Sequence, residues 1–233
     1  MPRHAGPHRP HHPAQARQLA EIAKHDPAAQ WRVIVTNTAG QALAVARIPR
    51  PRPARGRGGP ARARDGPRPG SGLVGRITVT ISQDTLAAVG QAPRRGPPAE
   101  IAAAALRIAA RALERTTAQA AADTAAGGCA HHGGSPAYRP PPRLRELVTA
   151  RDVTCRNPVC GQPAWRADLD HTIAWAPDGT GGPTCACNLG GRCRRDHILK
   201  QHPRWTFTQA GGEFRWTAPS GRTYTTDPDS HPV

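Results

Sequence analysis

From Pro49 to Gly72 the chain has almost nothing to bury. The stretch consists largely of Pro, Arg, Gly and Ala, with seven arginines and no large apolar residue. Such a segment cannot offset the entropy of ordering it. It divides the 233-residue chain and excludes one continuous core running from end to end. Composition agrees: 37% of residues are hydrophobic, with 24 Gly and 26 Pro, against ~45–50% apolar in an ordinary globular chain. The formal net charge of +16 favours a polyanionic partner without fixing a fold. No run approaches the ~20 apolar residues of a membrane span. The first residues lack the apolar centre of a secretory signal, so a cytoplasmic protein away from membranes is expected. In that reducing compartment, six cysteines suggest metal before disulfide.

The expected organisation has three parts. Residues 1–15, rich in His, Pro and Arg, form a disordered leader. Residues 16–137 form a poorly ordered region with short strands, a helix near 98–124 and the disordered linker 49–72. Within that region Trp31 to Val35 and Ala42 to Ala46 read as a strand pair, and Leu73 to Ile81 alternates as another short strand. Ile101, Ala105, Ile108 and Ala112 recur at helical spacing, with Leu106 and Leu113 beside them. That shallow face packs on the rest of the chain or on a second copy. Residues 138–233 hold the chemistry.

In this last segment Arg143 to Arg151 reads as a short helix with Leu144, Leu147 and Val148 on one side. Alternation along Asp168-Leu169-Asp170-His171 places the two aspartates on one face of a strand. Asp170 can hold a hard divalent cation, and His171 can take a proton from water near neutral pH. Asn188 follows Gly181-Gly182-Pro183, where its amide can fix the loop that carries His171. Arg194 to His202 reads as a helix ending before Pro203. His197 on it can supply a second metal ligand.

The order Asp-His, Asn, His resembles the HNH endonucleases, the ββα-metal or His-Me finger nucleases. The resemblance is closer still to the C-terminal HNH domain of a large actinobacterial family that carries a longer helical region upstream. It rests on Asp168 to Thr172, Gly181 to Thr184, Asn188-Leu189, Cys193 to His197, and Trp205 through Tyr224, and it covers Tyr138 to Tyr224. Upstream, Trp31 to Arg47 and Leu73 to Glu100 resemble pieces of the preceding region in an unusual order. The resemblance implies an α+β fold: a small ββα-metal C-terminal domain with zinc-ribbon-like cysteines and a C-terminal β-hairpin. A largely disordered N-terminal region with one alanine-rich helix precedes it. It implies Asp170 and His197 as ligands of Mg²⁺ or Mn²⁺, His171 as general base and Asn188 as positioning residue. The implied reaction is hydrolysis of DNA to 5′-phosphate and 3′-hydroxyl ends, where one cation stabilises charge on the phosphorane and the leaving oxygen.

The cysteines suggest a second site. Cys155 and Cys160 have zinc-finger spacing, and Cys193 begins a Cys-x2-Asp196 pattern. Related proteins often have Cys or His where Asp196 stands. Cys155, Cys160, Cys193 and Asp196 can make a structural zinc site; Cys185 or Cys187 is an alternative fourth ligand, and buried thiols are the alternative to a metal. Cys129 has no neighbour in sequence.

Arg204 to Thr208 and Glu213 to Thr217 read as a β-hairpin whose Trp205, Phe207, Phe214 and Trp216 face a core. Trp165 and Trp175, flanking the Asp-His strand, are assigned to packing. Arg192, Arg194, Arg195, Lys200 and Arg204 cluster near the helix as phosphate contacts. DNA is the expected partner, with no small-molecule cofactor and the oligomeric state open. The competing reading is a zinc-stabilised nucleic-acid-binding module, a decayed nuclease without catalysis.

Overall fold

The computed structural model describes residues 29–49, 76–89, 97–125 and 134–231. The expected leader, nearly all of the Pro49–Gly72 linker and Cys129 lie outside them. Among the described residues the chain is a mixed α+β fold with four α-helices and three small sheets. No helix among them is long and apolar enough to cross a membrane.

The first sheet contains β1 (Gln30–Thr36), β2 (Ala42–Arg47) and β3 (Arg76–Ser82), in the order β2-β1-β3. β1 pairs antiparallel with β2 and parallel with β3. The parallel pairing requires a long crossover, and the sequence between β2 and β3 supplies it. After β3 come α1 (Gln83–Val89) and α2 (Pro97–Ala125). Val33, Val35, Ala44, Leu86, Ala109 and Ala112 form one buried cluster, so α2 lays its alanine-rich face on this sheet. The expected strand pair and the third short strand join in one sheet. Each strand alone is marginal, but three together with a covering helix can close a core.

The second unit begins with α3 (Pro142–Asp152), where proline occupies the first turn and its missing N–H costs nothing. Leu144 and Val148 on α3 pack with Ala186 and Leu189, and Leu169 joins them. A 3₁₀ turn, Ala164–Arg166, leads into β4 (Asp168–His171), which pairs antiparallel with β5 (Leu189–Arg192). The helix α4 (Arg194–Leu199) follows directly. The sequence β4, β5, α4 thus forms a ββα unit.

The last sheet is β6 (Thr206–Ala210), β7 (Glu213–Thr217) and β8 (Thr223–Thr226), in sequence order. The first two strands are the hairpin expected from sequence; β8 extends it. Phe214 and Trp216 are buried, and Trp205 and Phe207 are half-buried with their rings edge-on to Trp216. Gly190 on β5 lies against the Phe214 ring, where a Cβ would collide with it. A side chain there would force the hairpin away from β5.

The two units touch. Glu146 on α3 accepts from Arg47 at 2.7 Å and pairs with Arg32 at 3.6 Å. The chain beyond β8 returns over α3, and His231 N–H donates to the Gly40 carbonyl (2.9 Å). His231 Nε2 also lies 2.7 Å from the Ala150 carbonyl. Gly40 has φ of 77° in the β1–β2 turn, and a Cβ there would sit 2.6 Å from the His231 carbonyl.

Candidate functional site

β4 presents Asp168 and Asp170 toward α4, as alternation required. His197, in the last turn of α4, lies between them: Nδ1 is 3.0 Å from Asp168 Oδ2 and Nε2 is 3.3 Å from Asp170 Oδ1. A carboxylate on the far nitrogen fixes the ring orientation and tautomer, the arrangement common to histidines that hold metals. The bond with His197 also holds the Asp168 carboxyl below its ordinary value, despite some burial.

Asp170 is nearly enclosed, with 7% of its side chain exposed. It is also engaged by cations. Arg192 Nη1 donates to Oδ2, and Lys200 Nζ lies 3.1 Å from Oδ1. Arg192 is fully buried, with its guanidinium over the Phe207, Phe214 and Trp216 rings at 5.4 to 5.8 Å. This corrects the expectation that Arg192 contacts phosphate. As the last residue of β5 it faces inward, and it neutralises Asp170 instead. Lys200 is also turned inward, donating to the His171 carbonyl as well as to Asp170. Burial lowers its affinity for the proton, partly offset by Asp170.

His171 is buried. Its Nε2 lies 2.8 Å from Thr184 Oγ1, and the Tyr138 ring stacks on it at 5.4 Å. Burial pushes its pKa below the ordinary histidine value of 6.5; Asp170 pulls upward and Lys200 downward. The neutral imidazole, the form that can accept a proton, is therefore favoured. Asn188 sits in the tight turn before β5. Its Oδ1 accepts from the Ile173 N–H at 2.8 Å, and its Nδ2 donates to the Ile173 and Pro183 carbonyls at 3.0 and 2.9 Å. These bonds clamp the chain immediately after His171.

An open groove of about 360 Å³ runs beside His197 and Asp168, walled by Tyr138, Arg139, Arg145 and Arg194. Arg194 and Arg195 are exposed on α4, and Arg204 is exposed beyond it. Sequence reasoning missed Arg139 and Arg145, which come from the entry to α3 and from α3 itself. Neither lies in the motif run, so only the fold brings them to the groove. Thr184 was also missed, although its place between Pro183 and Asn188 offered a weak signal. Trp165 is 55% exposed beneath the Arg166 guanidinium, which overturns its assignment to packing; Trp175 is half-buried and donates to the Pro136 carbonyl.

Across β5 from this site, Cys155, Cys160, Cys193 and Asp196 offer donor atoms all within 4.8 Å of one another. Asp196 is the fourth member; Cys185 and Cys187 are not part of the group. Asp196 Oδ2 accepts from the Cys155 and Cys193 thiols at 3.2 and 3.0 Å, and the Cys193 N–H donates to Cys155 Sγ at 3.3 Å. Burial raises the Cys155 and Cys193 thiols, helped by the Asp196 carboxylate. Burial works against ionised Asp196 too, but hydrogen bonds from Cys193, Arg195 and Cys155 outweigh it and hold its pKa low. Three thiols and a carboxylate, convergent and largely buried, could hold a metal ion. Asp170 and His197 fit a harder cation less completely, as two protein ligands on one side.

No family model matches the chain, and no solved structure does. The chain is 46% identical over 97 residues to uncharacterized protein Rv3776 of Mycobacterium tuberculosis, covering 41% of this chain and 18% of that protein. It is 45% identical over 97 residues to uncharacterized protein Rv2100 of the same organism, covering 41% and 17%. The chain thus spans less than a fifth of the length of these curated relatives.

Proposed function

We propose that the ββα unit is an HNH-type endonuclease site that hydrolyses DNA phosphodiester bonds. The observation that carries the reading is the pairing of Asp170 with His197 across β4 and the helix α4, next in sequence to a buried His171 whose pKa burial lowers. His171 acts as general base toward water, with Thr184 and Tyr138 setting its ring and Asn188 holding the loop behind it. Asp170 and His197 would hold Mg²⁺ or Mn²⁺, which supplies charge stabilisation at a phosphoryl oxygen and at the leaving oxygen. Arg139, Arg145 and Arg194 receive flanking phosphates along the groove. Cys155, Cys160, Cys193 and Asp196 hold a structural zinc that fastens the start of α4 to the loop after α3.

A second reading has one observation in its favour. Arg192 and Lys200 already neutralise Asp170, which suits a zinc-stabilised DNA-binding module without a catalytic cation. Supercoiled plasmid separates the two. Cleavage with Mn²⁺ that is lost with chelator and with His171→Ala supports the nuclease. DNA binding without cleavage under every metal condition supports the module.

A further inference from the structure

Part of the groove wall beside His197 and Asp168 is an aromatic ring that faces solvent. Tyr138 lines the groove and is 57% exposed. Its ring is nonetheless held. The His171 ring stacks against one face, with 19° between the planes. The Trp175 ring leans on it at 5.6 Å and 60°. Trp175 in turn donates its indole N–H to the Pro136 carbonyl at 3.2 Å, two residues before Tyr138. The Ser135 N–H donates to the Thr184 carbonyl at 2.9 Å, which pins the start of this segment to the loop that also holds His171. Pro140, Pro141 and Pro142 follow and stiffen its exit. An exposed ring fixed from several directions has already lost the freedom that binding would otherwise cost. Trp165 is exposed too, but its ring lies under the Arg166 guanidinium and outside the groove.

The surroundings of Tyr138 select what lies on it. Arg139 is next in the chain, and Arg145 and Arg194 reach the same groove. Asp168, the carboxylate on the wall, is engaged by His197 at 3.0 Å and by Arg194 at 3.4 Å. An open aromatic surface flanked by guanidinium groups matches a nucleobase flanked by phosphates. At about 360 Å³ the groove suits a single nucleotide unit. A base inside a duplex hides both faces in the stack, and reaching one costs unstacking. An unpaired base offers its face at once.

We propose that Tyr138 is a stacking platform for an unpaired nucleobase, and that the groove takes a DNA strand that is single-stranded at that point. The proposal rests on DNA being the substrate, as in the nuclease reading, and adds that the strand is unpaired beside the site. The base lies on Tyr138, its flanking phosphates meet Arg139 and Arg145, and the strand runs on toward His197.

The test is fluorescence anisotropy with the full zinc-loaded chain. The probes are a labelled oligothymidylate of about 15 nucleotides and a duplex of equal length, at one fixed salt concentration. No Mg²⁺ or Mn²⁺ is added, so nothing is cut. Tyr138→Leu should weaken single-strand binding roughly 5- to 150-fold, the loss of one stacked base, and change duplex binding by no more than about twofold. Tyr138→Phe and Tyr138→Trp keep a stacking face and should bind the single strand about as well as the wild type. Arg139→Ala/Arg145→Ala should instead weaken both probes and flatten the salt dependence. Wild-type single-strand affinity in Tyr138→Leu, or an equal loss on both probes, would overturn the proposal. Should the Leu variant not fold, weak single-strand binding by both the Phe and the Trp variants would overturn it equally. The nuclease reading fails separately: a chain that binds as described but cuts no DNA when Mn²⁺ is added refutes that reading and keeps the platform.

Discussion

Replacing Asp170 by Ala should damage the protein in two separable ways. Asp170 is opposite His197, so affinity for a divalent cation at that site should fall. His197→Ala should produce the same loss. The two variants should differ in stability, because Asp170 is also the counter-charge of Arg192. The Arg192 side chain is fully buried and the Asp170 side chain is 7% exposed. Removing one partner of a buried pair strands the other charge and costs about 3–5 kcal/mol. Thr172 Oγ1, at 3.2 Å from Arg192 Nη2, replaces little of that. His197 is 23% exposed, and its removal leaves both aspartates with basic partners, so a cost near 1 kcal/mol is expected. For a body of this size each kcal/mol lowers Tm by roughly 2–4 °C. Asp170→Ala should therefore melt on the order of 10 °C below His197→Ala in circular dichroism. Calorimetric titration with Mn²⁺ checks the metal arm. The double variant Asp170→Leu/Arg192→Met should recover the Arg192 share of the lost stability but none of the metal affinity, since Arg192 is no longer stranded while Lys200 still lacks its carboxylate. Equal melting temperatures for Asp170→Ala and His197→Ala would sink this account of Arg192.

Three further outcomes follow from the site. Metal analysis of the freshly purified protein should find one zinc per chain, and Cys193→Ser should unfold the ββα unit, because binding free energy in a small metal site is folding free energy; folded protein without zinc would contradict it. Cleavage should depend on neutral His171, whose pKa burial sets below 6.5, so the midpoint of the acid-side fall in rate should lie below pH 6.5; His171→Ala should cost ~10²–10⁴ in rate. A profile already falling between pH 8 and 7 would rule out this base. Asp168→Asn should weaken Mn²⁺ binding by ~10–100-fold through the orientation of His197, with melting little changed because Asp168 is about half exposed; titration with Mn²⁺ showing wild-type affinity would make Asp168 a bystander.

The parts of this molecule legible in sequence are those in which side-chain identity and local spacing carry the information. Asp168 and Asp170 on one strand face, the β6–β7 hairpin and the helix bearing His197 all follow from short-range periodicity. The burial of Arg192 was not legible, because an arginine at a strand end reads as solvated unless the aromatic hairpin arriving from β6 and β7 is known to cover it. Arg139 and Arg145 reach the groove only through the packing of α3 on β5. The choice of Asp196 over Cys185 or Cys187 depended on the direction of α4 after Cys193. The N-terminal sheet was underestimated for a similar reason: β3 joins β1 across a segment with no recognisable signal, and its core includes alanines that read as shallow.

The clasp between His231 and Gly40 ties the order of synthesis to the order of assembly. A ribosome delivers Gly40 early and must translate through His231 before that turn receives its hydrogen bond. Until then α3 lacks the His231 contact on the Ala150 carbonyl, and the loop leading to Cys155 lacks the bond from Thr154 to Asp229. A nascent chain thus carries every residue of the candidate site well before it carries the strap that steadies the helix beneath it. Contacts so distant in sequence are slow to form, so the strap closes after the residues of the candidate site are already joined.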